Sequence, residues 1–340
     1  MKRFIAFFLT SFVCYSVIAG ISPLPSVNAP LAKKSLLLDI VNVEQQKLVA
    51  VGERGHILLS SDAVHWQQMP VPVQATLTGV YFANAMKGWA VGHDATIINT
   101  LDGGKTWHIQ QFLPQLEKPL LDVVFKNDME GITVGAYGQF FRTEDGGSTW
   151  QSEFHDEFLL PEDIEYLEEL KKDDEEAYLD ERRSILPHFN RVVLDGRTLY
   201  LVGEIGIIAK SNDFGKHWQK LAAIYQGSFF DLTRTQRGNL LVVGLRGNAF
   251  RSLKNGAPWQ HSETKTTALL NSIVLSDDNR VFVLGNNGVV LESSDDGKTY
   301  TQHIQEDGKP LIAGVWFNSK IIAVSDVGIK TITLNTSGFN

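Results

Sequence analysis

Asp102, Asp145, Asp213 and Asp295 each follow a Ser or Thr by two positions and precede a glycine by two, and Trp107, Trp150, Trp218 or Tyr300 closes the phrase. A carboxylate beside a hydroxyl could serve as a general acid or as part of a calcium loop. Recurrence argues otherwise. A single active centre needs such a group once, and a calcium loop needs more oxygen ligands than the phrase TLDGGKTW supplies. A turn needs both parts, because Asp accepts backbone N–H bonds across it and glycine supplies a left-handed conformation. The aromatic residue is then expected to fold under the turn and pack between sheets. The phrase therefore reads as a structural hairpin. Neither catalysis nor metal binding follows from these aspartates.

The elements that position these turns come from a longer repeat. Phrases rich in β-branched residues and ending in glycine run through the chain as LVAVGERG, WAVGHDA, ITVGAYG, YLVGEIG, LVVGLRG, FVLGNNG and IAVSDVG. Their small residues Gly52, Gly92, Gly135, Gly203, Gly244, Gly285 and Ser325 are 40, 43, 68, 41, 41 and 40 apart. Each unit reads as four short strands separated by Gly, Asn and Asp turns, the third most clearly as LLDVVF, GITVGAY, QFFRTED and STWQSEF. Four strands per ~40 residues, repeated seven times, predict an all-β seven-bladed β-propeller of four-stranded antiparallel blades. The fifth unit departs from the turn phrase, with Lys254 where the acid belongs. The seventh unit ends before a fourth strand. The segment Ser22 to Lys34 is expected to supply it, so that an N-terminal strand closes the last blade and removes the open edge.

The 340-residue chain carries a net charge of −8, which excludes a general nucleic-acid binder. The charge is concentrated. Asp156 to Arg183 hold 13 acidic and 4 basic residues, a net of −9, so the remainder is close to neutral. This acidic helical insert, residues 155–187, accounts for the long interval between the third and fourth units. Pro161 opens its helical stretch. Lys2 and Arg3 precede an apolar run from Phe4 to Ile18, which reads as a cleaved signal peptide over residues 1–19. Residues 20–340 would then form the exported, periplasmic or secreted propeller. Cys14 is the single cysteine, and Val13 before it is too bulky for the usual lipidation pattern. The mature chain would thus have neither a disulfide nor a thiolate metal site.

The pattern S/T-x-D-x-G-x-T/H-W/Y resembles the Asp-box, or BNR, repeat of sialidase-type propellers. The longer unit VGxxGxxxxTxDGGxTW resembles the photosystem II stability and assembly factor family, over about residues 36 to 335. The resemblance implies an exported, non-enzymatic scaffold that assembles or stabilises a membrane or envelope complex. Relatives outside photosynthesis accompany exporters of the resistance-nodulation-division type, which implies an envelope partner. The acidic insert departs from the family's basic blade pattern, so a photosystem role does not carry over. The alternative is a carbohydrate-binding or glycoside-hydrolysing, sialidase-like propeller. Glu53, Asp94, Glu204 and Asp326 would be its carboxylates. Against it, the R-I-P segment usual in sialidases is missing.

A binding face is expected where the turns between second and third strands meet the connections between blades. Arg54, His93, Tyr137, Glu204, Arg246 and Asn287 differ from blade to blade there, and Arg and Tyr are types enriched at binding hot spots. The insert emerges on this face, with Tyr166, Leu170 and Tyr178 as expected partner contacts. His93, His155 and His188 could approach the mouth but lack metal-ligand spacing. No cofactor, no metal and no catalytic residue is expected, and the chain is read as a monomer on its own with a membrane or envelope protein complex as partner.

Overall fold

Each repeat folds as one antiparallel sheet in which sequence neighbours are spatial neighbours. The computed structural model describes residues 22–253, 255–332 and 334. The first blade comprises Leu37–Val43, Lys47–Gly52, Ile57–Ser60 and Gln67–Gln68. The seven inner strands are Leu37–Val43, Leu77–Phe82, Leu120–Phe125, Phe189–Asp195, Phe229–Arg234, Leu270–Leu275 and Ala313–Phe317. Each contacts the next, and the last contacts the first, so the ring is a closed seven-bladed β-propeller.

Second strands explain the apolar phrases. In Gly131–Gly135 every residue is buried, because both sheet faces press on neighbouring blades. Trp89 of blade two stacks on Phe125 of blade three at 3.4 Å between centroids, 14° from parallel. The glycine ending each second strand has a steric cause. A Cβ on Gly52, Gly92 or Gly203 would lie 2.1–2.2 Å from the carbonyl oxygen of Leu36, Thr76 or His188, just before an inner strand begins. The repeat marker is a close backbone crossing.

Six inner strands carry an irregularity in register near their start, between Leu37 and Asp39 in the first blade and between Phe189 and Arg191 in the fourth. A bulge there re-aims side chains towards the axis. The intervening residues Leu38, Thr78, Leu121, Asn190, Phe230 and Asn271 line the channel mouth.

Three features mark the periphery, the first of them a difference from expectation. The last sheet has three strands among the described residues, Ala313–Phe317, Lys320–Ser325 and Gly328–Ile332. Residues 22–34 form no fourth strand. The Ser26 N–H donates to the Val71 carbonyl at 2.8 Å, and Gln68 and Gln74 side chains donate to the Val27 and Pro25 carbonyls. Pro23, Pro25 and Pro30 remove donors that a ladder would need, so this segment lies along blade one instead. Its short helical turn Ala32–Lys34 meets the third strand of blade seven. The seam is closed by packing: Phe317, Ile322 and Val324 bury against Leu37, Leu48 and Leu58, and Asn42 donates to the Trp316 carbonyl at 2.7 Å. Second, the insert is not one helix. Helices α1 (Pro161–Asp173) and α2 (Glu175–Glu181) break at Asp174, whose extended backbone lets its carboxylate accept the Ala177 N–H at 3.0 Å. Third, the insert is anchored to the blades. Phe158, Leu159, Leu167 and Leu186 are buried with Phe189, Phe214 and Trp218. The expected signal peptide and Lys254 lie outside the described residues. Among the described residues no helix is long and apolar enough to cross a membrane.

Candidate functional site

The turns between second and third strands are built alike. The Glu53 N–H donates to Leu36 O at 3.1 Å, and the Ala136, Glu204, Leu245 and Asn286 N–H groups donate to Pro119, His188, Ser228 and Leu269. Those carbonyls immediately precede inner strands, so the turns and the connections between blades share one face. Within each turn the backbone closes from three residues on, as in His56 N–H to Glu53 O at 2.9 Å. The two central residues are left-handed, with φ 54° at Arg54 and 69° at Gly55. This is the twist a two-residue hairpin favours, and it suits Asn-Gly best. Asn287-Gly288 obeys, whereas Arg54, Tyr137, Ile205 and Arg246 occupy the same first position at φ 48–57°. All four are exposed.

The expected face residues do not behave alike. Arg54, His93, Tyr137, Arg246 and Asn287 point to solvent, His93 standing one position earlier in its turn than the others. Glu204 is half-buried: its Oε2 accepts the His188 N–H at 2.9 Å, much as Glu53 Oε1 accepts the Leu36 N–H. Both carboxylates thereby support strand entry. The Tyr137 ring meets His188 edge-on at 4.6 Å and takes the Lys118 ammonium at 5.1 Å.

The turn aspartates are saturated within their own turns. Asp102 Oδ1 accepts the Thr106 N–H at 2.9 Å and its Oδ2 accepts the Thr106 hydroxyl at 2.6 Å. Gly104 N–H donates to Thr100 Oγ1 at 2.8 Å, and the Trp107 indole donates to Gly104 O. Asp145, Asp213 and Asp295 repeat the pattern. Burial opposes the charge on Asp102, but the Thr106, Thr100 and Lys105 donors hold its carboxyl down at about 2. Trp107 and Trp218 are buried, and Trp150 is half-buried against Phe125.

Sequence reasoning missed the channel. Asp39, Asp122, Arg191 and Asp231 occupy one position of the repeat, two residues after the apolar residue that starts the inner strand, in blades one, three, four and five. Aligning the repeats on that residue would have exposed them. Arg191 lies 3.8 Å from Asp39, 3.5 Å from Asp122 and 3.7 Å from Asp231. Each aspartate also takes a backbone N–H from the next blade: Val80 to Asp39 at 2.9 Å, Val192 to Asp122 at 2.9 Å and Ile273 to Asp231 at 2.7 Å. Blades are thus stapled in pairs around one cation, beside a cavity of about 340 Å3. Desolvation raises all three carboxyls against the pull of Arg191, Asp122 to about 6. In return the carboxylates, Asp122 foremost, raise the guanidinium above its ordinary value. Acids fixed in this way serve as inter-blade braces.

The insert's expected contacts also diverge. Tyr166 is exposed, Leu170 is half-buried, and the Tyr178 ring packs on the core and takes both Lys171 and Arg182. Leu160, Ile164 and Leu179 add exposed apolar surface. The three histidines are kept apart in function. His155 is buried between Glu153 and Glu157, His188 faces Tyr137 and Glu204, and His93 is solvated. Among the described residues no group of three acids, histidines or cysteines is disposed to hold a metal.

Ring, hairpin face and braced channel together define a seven-bladed propeller whose variable side chains are gathered on one face. The family model described as "Photosynthesis system II assembly factor YCF48" matches residues 58–118. The chain is 29% identical over 232 residues to "Photosystem II assembly protein Ycf48" of Thermosynechococcus vestitus, covering 68% of this chain and 60% of that protein. Among solved structures, "YCF48 bound to D1 peptide" superposes with a TM-score of 0.67 at 16% identity, over 92% of this chain and 100% of that one. Virginiamycin B lyase from Staphylococcus aureus reaches 0.69 at 10% identity, over 88% and 96%. At such identities structural likeness establishes the fold alone. The sequence matches add a similarity to photosystem II assembly factors over those stretches, and the chain spans less than two thirds of the length of the Thermosynechococcus protein.

Proposed function

We propose that this propeller is an exported, non-enzymatic docking scaffold that assembles or stabilises a membrane or envelope protein complex. The observation that carries the reading is the hairpin face. Arg54, Tyr137, Ile205 and Arg246 stand at left-handed positions where Asn or Gly would cost less, and each presents its side chain to solvent. Strain retained on one face of a rigid ring points to use of that face. Its mixed content of Arg, Tyr and apolar residues suits a polypeptide partner. The similar Ycf48 proteins support the same reading, since one is named an assembly protein and another is titled as bound to a peptide. An exporter complex of the resistance-nodulation-division type is the finer proposal, as the resemblance implies for relatives outside photosynthesis. Residues 155–187 then act as an accessory arm and residues 1–19 as the export signal.

Two of the four carboxylates of the glycan-hydrolysing alternative, Glu53 and Glu204, each take a strand-entry N–H, which disfavours that reading. The test is capture of envelope proteins by the purified chain, compared with an Arg54→Ala/Arg246→Ala/Tyr166→Ser variant of unchanged melting temperature. Loss of a specific membrane-complex subunit from the variant is the expected result. Capture that is unaffected, together with binding to a glycan array, overturns the proposal.

A further inference from the structure

A second recess lies beside the hairpin face, where the blade two–three connection, the Tyr137 turn and helix α2 enclose a cavity of about 500 Å3. That size suits a short segment of ligand, within the ~300–1,000 Å3 usual for binding pockets. Its wall combines Lys118, Arg182 and Arg183 with Tyr137, Phe154 and Leu179. Two of these cations, Arg182 and Arg183, come from an insert that carries 13 acids between Asp156 and Arg183, and Lys118 joins them from the connection between blades two and three. Their pairing makes the point sharper. Among the described residues no carboxylate forms an ion pair with Lys118 or Arg182. Arg183 meets exposed Asp180 at 2.9 Å, while Glu153, the acid in the wall, is bound to Arg142 at 2.5 Å and lies near His155. The Arg182 guanidinium lies over the Phe154 ring at 4.1 Å from its centroid, and its buried Nε has no hydrogen-bond partner among the described residues. Lys118 donates to the Arg183 carbonyl and stands over Tyr137, which fixes its ammonium beside the end of the insert. Desolvation and then the nearby Arg183 charge lower the Lys118 ammonium below its ordinary value, as a like-charge pocket requires.

The geometry points to a carboxylate-binding pocket for an extended peptide, with the acid on Arg182 and Lys118 and an apolar neighbour against Tyr137 and Leu179. Arg and Lys donors grip a carboxylate, and the aromatic wall lowers the local dielectric and strengthens the contact. This rests on the docking reading and adds the partner's chemistry. The acid has two possible sources, a chain's terminal carboxylate or a Glu or Asp side chain.

Titration calorimetry on the full chain would use three probes: an apolar hexapeptide with a free terminal carboxylate, the same peptide amidated, and the amidated peptide with one internal glutamate. The free acid, the glutamate peptide or both should bind at least tenfold tighter than the neutral amide, and added salt should weaken that binding. Preference for the free acid assigns the terminal carboxylate, and preference for the glutamate peptide assigns a side chain. Arg182→Ala should weaken the preferred peptide by about tenfold or more, the loss expected for a charged hydrogen bond. Because Arg182 also packs on Phe154, Lys118→Gln on the connection between blades two and three provides a second variant, and Lys298→Gln on a remote turn should change nothing. Equal binding of all three peptides, or unchanged binding in both pocket variants, overturns the pocket. Envelope capture that survives such a result leaves the docking reading standing. Carboxylate binding without any envelope capture sinks the docking reading alone.

Discussion

Ile205 holds a β-branched side chain at φ 48° and ψ 30°, where its Cβ crowds the backbone. Nothing in the turn itself requires isoleucine, since Asn287 serves at the same place in blade six. Ile205→Asn is therefore expected to stabilise the chain by about 1 kcal/mol, because Asn tolerates the left-handed region at lower cost. Guanidinium unfolding would measure it, and a midpoint that stays the same or falls would contradict the strain. The turn aspartates show how much chemistry sequence can convey at this scale. Their spacing already implied internal hydrogen bonds, because both partners of each bond lie within the phrase. Asp102→Ala removes an acceptor for the Thr106 N–H and hydroxyl, and should cost about 1–2 kcal/mol without changing any binding property. A loss of peptide capture without a loss of stability would return that carboxylate to the list of functional groups. The role of Glu204 was hidden for the opposite reason. Its partner, the His188 N–H, belongs to the entry of the inner strand and lies outside the turn phrase.

At the scale of elements, what was legible was whatever repeats. Glycines at fixed spacing are required by a close backbone crossing in six of the seven blades, so the units and their strand order could be read directly. Elements without a counterpart in other repeats were harder. The N-terminal segment has the right place in the chain to finish blade seven, yet its prolines turn it towards blade one. The insert has helical spacing throughout, but the run Asp173-Asp174-Glu175-Glu176 combines like-charge repulsion with a capping residue, and the helix divides there. Its anchoring could not be read from polarity, since only Leu167 of α1 is fully buried. Leu167→Ala should release α1 from the blades at a cost of about 2–4 kcal/mol. Limited proteolysis would then cut within residues 161–181 in the variant while the ring stays intact. Equal resistance of both proteins would mean that Phe158 and Leu186 hold the insert without help from the helix.

The channel belongs to the whole molecule, because its four charges are contributed by four blades and meet only when the ring closes. No single repeat announces it, which is why a unit-by-unit reading passes over it. Three carboxylates around one guanidinium leave an excess of negative charge in a desolvated site, and the raised carboxyls record that excess. A carboxyl whose folded pKa exceeds its unfolded value destabilises the ring when ionised, and the penalty is relieved as pH falls through the folded value, about 6 for Asp122. The depressed turn aspartates contribute stability of the opposite sense, lost only as pH falls below the ordinary carboxylate range towards 2, outside this window. Arg191→Met removes the cation and keeps the volume, leaving the braces charged and unpaired. Breaking a buried pair costs about 3–5 kcal/mol, and that loss is expected near pH 7.5. At pH 5 protonation of the stranded carboxyls should restore much of it. Asp122→Asn should behave inversely, gaining stability relative to the unmodified chain as pH rises from 4 to 7, since it cannot acquire the charge. Urea unfolding of the three proteins at several pH values separates these cases. If Arg191→Met were destabilised equally at pH 5 and pH 7.5, Arg191 would act by packing, and the blades would be held together without the charge network.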